Sequence, residues 1–170
     1  MIPTNHHLHP GYNHDLTREW QTQNTKFDKS NFVYPIFVVD VDGQKNEIKS
    51  MPGQYQWSVD RLTELLDPLV KKGLRAVILF GVISVAENKD ENGKYSTSAA
   101  DSPLVATWAD SEQSPVIRAI TLLRKTYPEL YIMCDVCLCQ YTSHGHCGLL
   151  GKTQPVPTDL HPRKRRRAEQ

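Results

Sequence analysis

Three short runs of apolar residues, at 32–39, 74–81 and 130–139, most constrain what this chain can fold into. Each is rich in β-branched or aromatic side chains and shows little polar alternation. A strand with one wet face alternates apolar and polar residues. A run without alternation fits a strand buried on both faces, as in a parallel sheet covered by helices. Proline is awkward in a central strand, so the first strand is expected to begin at Pro35. Two helical patterns separate the runs. Residues 59–73 place Leu62, Leu65, Leu66, Leu69 and Val70 on one face and close with Lys71, Lys72 and Gly73. That is an amphipathic helix with a C-terminal stop, which Pro68 should kink or break. Residues 114–127 form the second helix, with Ser114 as N-cap and Pro115 at the first helical position. Strand–helix–strand–helix–strand reads as repeated βα units around a parallel sheet. Residues 40–53 read as a polar, turn-rich connection.

All four cysteines lie within residues 134–148, together with His144 and His146. On a strand, alternate side chains share a face. Asp135, Cys137 and Cys139 would then point one way, and Cys134, Val136 and Leu138 the other. Cys147 can return over the strand end and complete a three-thiolate claw suited to Zn²⁺, with the fourth position left for water or substrate. Cys134 reads as a small buried hydrophobe. A disulfide between Cys137 and Cys139 would close a strained ring. One from Cys147 to either of them stays open as a reading, and both histidines can equally be ordinary loop residues. The motif falls at the C-terminal end of the third strand, where a βα barrel places its chemistry.

Length, charge and the N-terminus bound the rest. The 170 residues suffice for one modest domain with its own core. A net charge of +1 argues against a generally nucleic-acid-binding surface, and no apolar run is long enough to span a bilayer. Residues 1–10 are polar and contain His6, His7 and His9. They lack the apolar core of a signal peptide and the arginines of a transit peptide, so reduced thiols in the cytosol are expected.

The run Cys134-Asp-Val-Cys-Leu-Cys139, with Tyr141-Thr-Ser-His-Gly-His-Cys-Gly148, closely resembles the zinc-binding segment of the porphobilinogen synthase family, also called δ-aminolevulinic acid dehydratase. The resemblance covers roughly residues 10–150. It implies the N-terminal portion, about three βα units, of an α/β (β/α)8 TIM-type barrel over residues 31–150, preceded by an N-terminal arm over residues 1–30. It implies a catalytic zinc on Cys137, Cys139 and Cys147, a supporting active-site role for Asp135, and a second, non-catalytic metal associated with His146. The implied reaction is that of a hydro-lyase on the way to haem and other tetrapyrroles. Two 5-aminolevulinate molecules condense to porphobilinogen with loss of two waters. The chemistry needs activated lysines and a polarising metal. In the arm, Gly11-Tyr12, Arg18 and Trp20-Gln21 have counterparts in the family, and a short helix is expected around residues 16–23. There the arm wraps a neighbouring subunit, so homologous subunits are the implied partners. Trp20 favours a packed arm over a mobile terminus, because a free tail seldom carries a large aromatic.

Two departures from the family pattern follow. Ala100-Asp-Ser recurs as Ala109-Asp-Ser and encloses Pro103-Leu-Val-Ala-Thr-Trp108, which suggests a surface-loop insertion carrying an exposed Trp108. After residue 150 the chain becomes rich in proline and arginine, without hydrophobic periodicity. Residues 151–170 therefore read as a disordered basic tail that resembles nothing in the family. Neither Lys152 nor Lys164 is assigned a Schiff-base role, so the chain alone is expected not to make porphobilinogen. The alternative reading is a non-catalytic zinc-binding fragment that associates with full-length homologous subunits. Arg163-Lys-Arg-Arg-Arg167 also fits a nuclear-localisation or nucleic-acid-binding cluster. The near-neutral net charge argues against nucleic acid as the partner.

Overall fold

The three apolar runs become strands β1 (Val33–Val39), β4 (Ala76–Val82) and β5 (Tyr131–Cys134) in a computed structural model that describes residues 10–22, 27–86, 89 and 107–147. The expectations for residues 1–9, for most of the insertion and for the tail with its arginine cluster lie outside the described residues. Two further strands appear, one within the connection expected over residues 40–53 and one just after it. They are β2 (Lys45–Glu47) and β3 (Tyr55–Ser58), and the sheet order is β2-β3-β1-β4-β5. β1, β3, β4 and β5 pair in parallel, while β2 runs antiparallel to β3.

Strand β1 begins at Val33, so Pro35 lies inside it rather than at its start. β4 pairs along all of β1, from Val33 to Val39, whereas β3 pairs only with Phe37–Val39. Pro35 thus stands where β1 has a single neighbour, and a strand tolerates the missing N–H there.

Helices α3 (Leu62–Lys71) and α4 (Pro115–Thr126) cover one face of the sheet. Leu62 and Leu66 of α3 and Ala119 and Leu123 of α4 are fully buried against Ile36, Val38, Val77 and Leu79. At about 25 cal/mol per Å² of apolar surface, each such leucine contributes about 2 kcal/mol over its exposed state. Helix α3 continues through Pro68 and stops at Gly73. Gly73 takes φ 97°, its N–H donates to Val70 O, and the Leu74 N–H reaches back to Leu69 O at 3.0 Å. This closing motif needs a residue in the left-handed region, which glycine adopts without a Cβ clash.

The arm region packs on its own chain. A single turn, α1 (Pro10–Asn13), leads into α2 (Asp15–Gln21), which overlaps the short helix expected around residues 16–23. Leu16 is fully buried, and Trp20 meets Tyr131 of β5 edge-on at 5.7 Å. The Trp20 indole N–H donates to Ser30 O at 2.7 Å, and Glu19 pairs with Arg75 at 2.6 Å. Trp20 is therefore held within the chain, while Tyr12, at 69% exposed, and Phe27 face outward.

Candidate metal centre

Parallel pairing puts the C-terminal ends of β1, β3, β4 and β5 on one side of the sheet. The loops there are tied together. Asp40, just past β1, accepts from the N–H groups of Ser84 (2.9 Å) and Val85 (3.2 Å) after β4. Arg118 of α4 pairs with Asp42 at 2.7 Å. On this side the cysteine segment leaves β5.

The strand ends at Cys134, five residues earlier than expected. Its last pairing partner is Leu79, after which the Asp135 N–H donates to Leu79 O at 3.0 Å. Residues 135–138 are irregular and Cys139–Tyr141 form a 3₁₀ turn. Cys137 and Cys139 are accordingly gathered by a loop and not by a shared strand face. Val136 is 99% exposed, and Leu138 is exposed as well. Cys134, expected to be buried, is exposed because β5 is the sheet's edge strand.

The three expected ligands nonetheless converge. Cys139 and Cys147 sulfurs stand 2.9 Å apart, Cys137 and Cys147 3.3 Å apart, and all three lie within 4.8 Å of one another. Every cysteine is a free thiol, which closes the disulfide reading. Sulfurs bound tetrahedrally to one zinc at about 2.3 Å would stand about 3.8 Å apart. The two shortest spacings fall below that value by less than an ångström, so small outward adjustments would fit the donor set to a soft divalent cation. Crowding also polarises the thiols. Hydrogen bonds from Cys139, and then from Cys137, bring Cys147 down to about 7. Cys139, whose proton is held by Cys147 and then by Cys137, is pushed up to about 12. The first proton leaves easily and the next is retained, a conflict that a cation among the sulfurs would remove.

Asp135 is exposed and belongs to no cluster of three or more ligating side chains among the described residues. The same holds for His146. Its ring stacks on His144 with centroids 6.0 Å apart, and its N–H donates to His144 Nδ1 at 3.2 Å.

Two neighbours of the ligands went unread in the sequence. Tyr141 and Thr142 are 5% and 1% exposed, the only buried residues among the described part of the motif, 134–147. Tyr141 packs with Ile83, Trp108 and Ala109, and its Oη shares a 3.5 Å hydrogen bond with Ser114 Oγ. Burial pushes the Tyr141 hydroxyl up, opposed by Ser114 and reinforced by Cys134 and Asp135. Trp108 is thus partly buried beside the metal loop rather than exposed, and its Nε1 has no partner among the described residues. Ser114 caps α4 by position only, with no side-chain capping bond, because its hydroxyl faces Tyr141. The available sequence signal was Gly81. A glycine inside an apolar strand run marks a close approach, and here a Cβ would lie 2.5 Å from Tyr141 Oη.

Comparison with known proteins fits this arrangement. The family model for delta-aminolevulinic acid dehydratase matches residues 5–161, so 151–161, expected to be unlike the family, fall within the match. The delta-aminolevulinic acid dehydratase of Bos taurus is 52% identical over 145 residues, covering 85% of this chain and 40% of the relative. That of Schizosaccharomyces pombe is 51% identical over 143 residues, covering 84% and 39%. The chain thus spans about two fifths of the length of the curated relatives it matches. A crystal structure of delta-aminolevulinic acid dehydratase (porphobilinogen synthase) from Toxoplasma gondii, in complex with porphobilinogen, superposes with a TM-score of 0.62 at 24% identity. The match covers 89% of this chain and 39% of that one. The sheet and helices described above are therefore an N-terminal portion of that barrel fold. No helix among the described residues is long and apolar enough to cross a membrane.

Proposed function

This chain belongs to the delta-aminolevulinic acid dehydratase family, and we propose on that footing that it carries the metal-binding part of porphobilinogen synthesis. In this reading Cys137, Cys139 and Cys147 hold one zinc ion, and the substrate is 5-aminolevulinate, condensed two to one. The observation that carries it is the convergence of three free thiols within 4.8 Å at the C-terminal ends of parallel strands.

When bound, the zinc supplies a Lewis acid with an open coordination position. The chain's own residues supply the rest of this half. The loop holds three soft donors in one place and leaves their outward side open. Asp135, exposed beside the site, is assigned the task of receiving or returning a proton at its carboxylate. His146 is assigned to a second, non-catalytic metal, with its further ligands drawn from outside this loop. Residues 1–30 serve as the arm, 31–150 as the barrel portion and 151–170 as a basic tail whose first part lies within the family match, in a cytosolic protein.

The test is zinc content after exhaustive dialysis. The wild-type chain should retain one zinc per chain, Cys134→Ser should retain the same, and the triple change of Cys137, Cys139 and Cys147 to serine should retain none. Lead should displace the zinc, since thiolates prefer softer ions. Zinc retained by the triple variant would refute the ligand set.

A second reading rests on the same thiol cluster. Here the 170-residue chain binds zinc but acts only alongside longer homologous subunits. A colorimetric porphobilinogen assay separates the two. The second reading expects no product from the chain alone and co-purification with a full-length subunit. Turnover by the chain alone would exclude it.

A further inference from the structure

In the described part of the metal loop, 134–147, only two residues are buried, and these two, adjacent in sequence, ligate nothing. From that contrast we propose that Thr142 is the positioning residue of the thiol triad, with Tyr141 as the anchor that seats it. This rests on the metal-centre reading above and goes beyond it, because it assigns what fixes the ligands rather than which residues they are.

Cys139 and Cys147 are separated by seven residues, and Ser143, Gly145 and His146 between them are exposed. Such a loop has little reason to hold one shape. Thr142 supplies the constraint. Its hydroxyl lies 3.2 Å from the carbonyl oxygen of Cys139 and 3.1 Å from that of His146, and its single proton is shared between them. The first carbonyl belongs to one ligand and the second to the residue immediately before another. One side chain therefore ties together the two backbone points that set the Cys139–Cys147 separation.

Thr142 can do this only if it is itself fixed, and Tyr141 does that. The ring fills the notch over Gly81 of β4, where a methyl would meet its hydroxyl at 2.5 Å. Ser114 at the start of α4 and Trp108 bound the same ring. The Tyr141 N–H donates to Leu138 O at 2.9 Å, closing the turn that carries Cys139. The rigid β4–α4 scaffold is thereby coupled to an otherwise solvent-exposed ligand loop. Outer groups that orient metal ligands typically contribute 10- to 100-fold to affinity.

The experiment uses the full 170-residue chain and cobalt(II), whose visible absorption reports both thiolate ligation and coordination geometry. Thr142→Val keeps the shape and removes the hydroxyl, Thr142→Ser keeps the hydroxyl, and Ser143→Ala is the exposed control beside it. Thr142→Val should weaken cobalt binding about 10- to 100-fold and alter the tetrahedral absorption band. Thr142→Ser should stay within about threefold of wild type with the wild-type band, and Ser143→Ala should be indistinguishable from it. If Thr142→Val matches wild type in affinity and spectrum, the positioning role is wrong. It is equally overturned if Thr142→Ser loses as much as Thr142→Val, since the hydroxyl would then not be what matters. A wild-type chain that takes up no cobalt would instead remove the metal centre, and this inference with it.

Discussion

Replacing Gly81 by alanine tests whether the scaffold beneath the cysteine loop is as tightly closed as its geometry indicates. The added methyl would stand 2.5 Å from Tyr141 Oη, 3.1 Å from Val116 Cγ2 and 3.3 Å from Tyr141 Cζ. The Tyr141 ring is buried and sits on a hydrogen-bonded turn, so it cannot swing away at little cost. Gly81 has no positive φ, so backbone strain does not enter. Overpacking of this kind costs roughly 1–3 kcal/mol. The smaller entropy of an alanine-containing unfolded chain offsets about 0.4–1 kcal/mol of it. Taking the middle of each range, a net loss of about 1 kcal/mol follows.

Tyr141→Phe removes the atom nearest the methyl and leaves the contact at 3.3 Å. Alone it gives up only a long hydrogen bond to Ser114, a loss of about 0.5–1 kcal/mol. Combined with Gly81→Ala it should recover about 1 kcal/mol relative to the sum of the single changes. Urea unfolding of the four chains measures this coupling. Strict additivity, or a Gly81→Ala chain as stable as wild type, would refute the close-approach reasoning.

Leu66→Ala, at a fully buried position of α3, should cost about 2–5 kcal/mol in the same urea assay. Tyr127 is pushed up to about 12, first by burial and then by donating to Asp67 at 2.5 Å. Its folded-state value lies above the unfolded one near 10. The stability it contributes is complete below pH about 10 and is lost as pH rises towards about 12, a loss that Tyr127→Phe should flatten. In the arm, Trp20→Ala should lower the unfolding midpoint, because the indole is held by Ser30 and Tyr131. Tyr12→Ala should leave that midpoint unchanged and weaken co-purification with a homologous subunit, since the ring is exposed.

The parallel core was legible because its signals are local. Uninterrupted apolar runs became β1, β4 and β5, and leucines at helical spacing became α3. Strands β2 and β3 were missed for a physical reason. Lys45–Glu47 is exposed throughout, and Tyr55–Ser58 is too short to show a period. β2 is held by pairing with the nearby β3, and β3 by pairing with β1, rather than by their own propensity. Pro35 was misplaced because its tolerance depends on where β3 begins, which no local pattern records.

The grouping of the three thiols could be read even though the strand assigned to it was not. A Cys-X-Cys spacing keeps two thiols within reach of one cation on a strand or in an irregular loop, so the chemistry survives an error in secondary structure. The anchoring of that set had no such robustness. Tyr141 and Thr142 look like ordinary loop residues until Gly81, sixty positions earlier, is known to lie beneath the ring. The consequence concerns the order of assembly. The notch that receives Tyr141 is built from β4, the start of α4 and the segment around Trp108. The loop reaches that notch only once β5 has docked on β4 in the Leu79–Cys134 register. A shift of one residue in that pairing would move the ring off Gly81 and separate the carbonyls that Thr142 bridges. The thiol triad is therefore as much a product of strand register as of cysteine spacing.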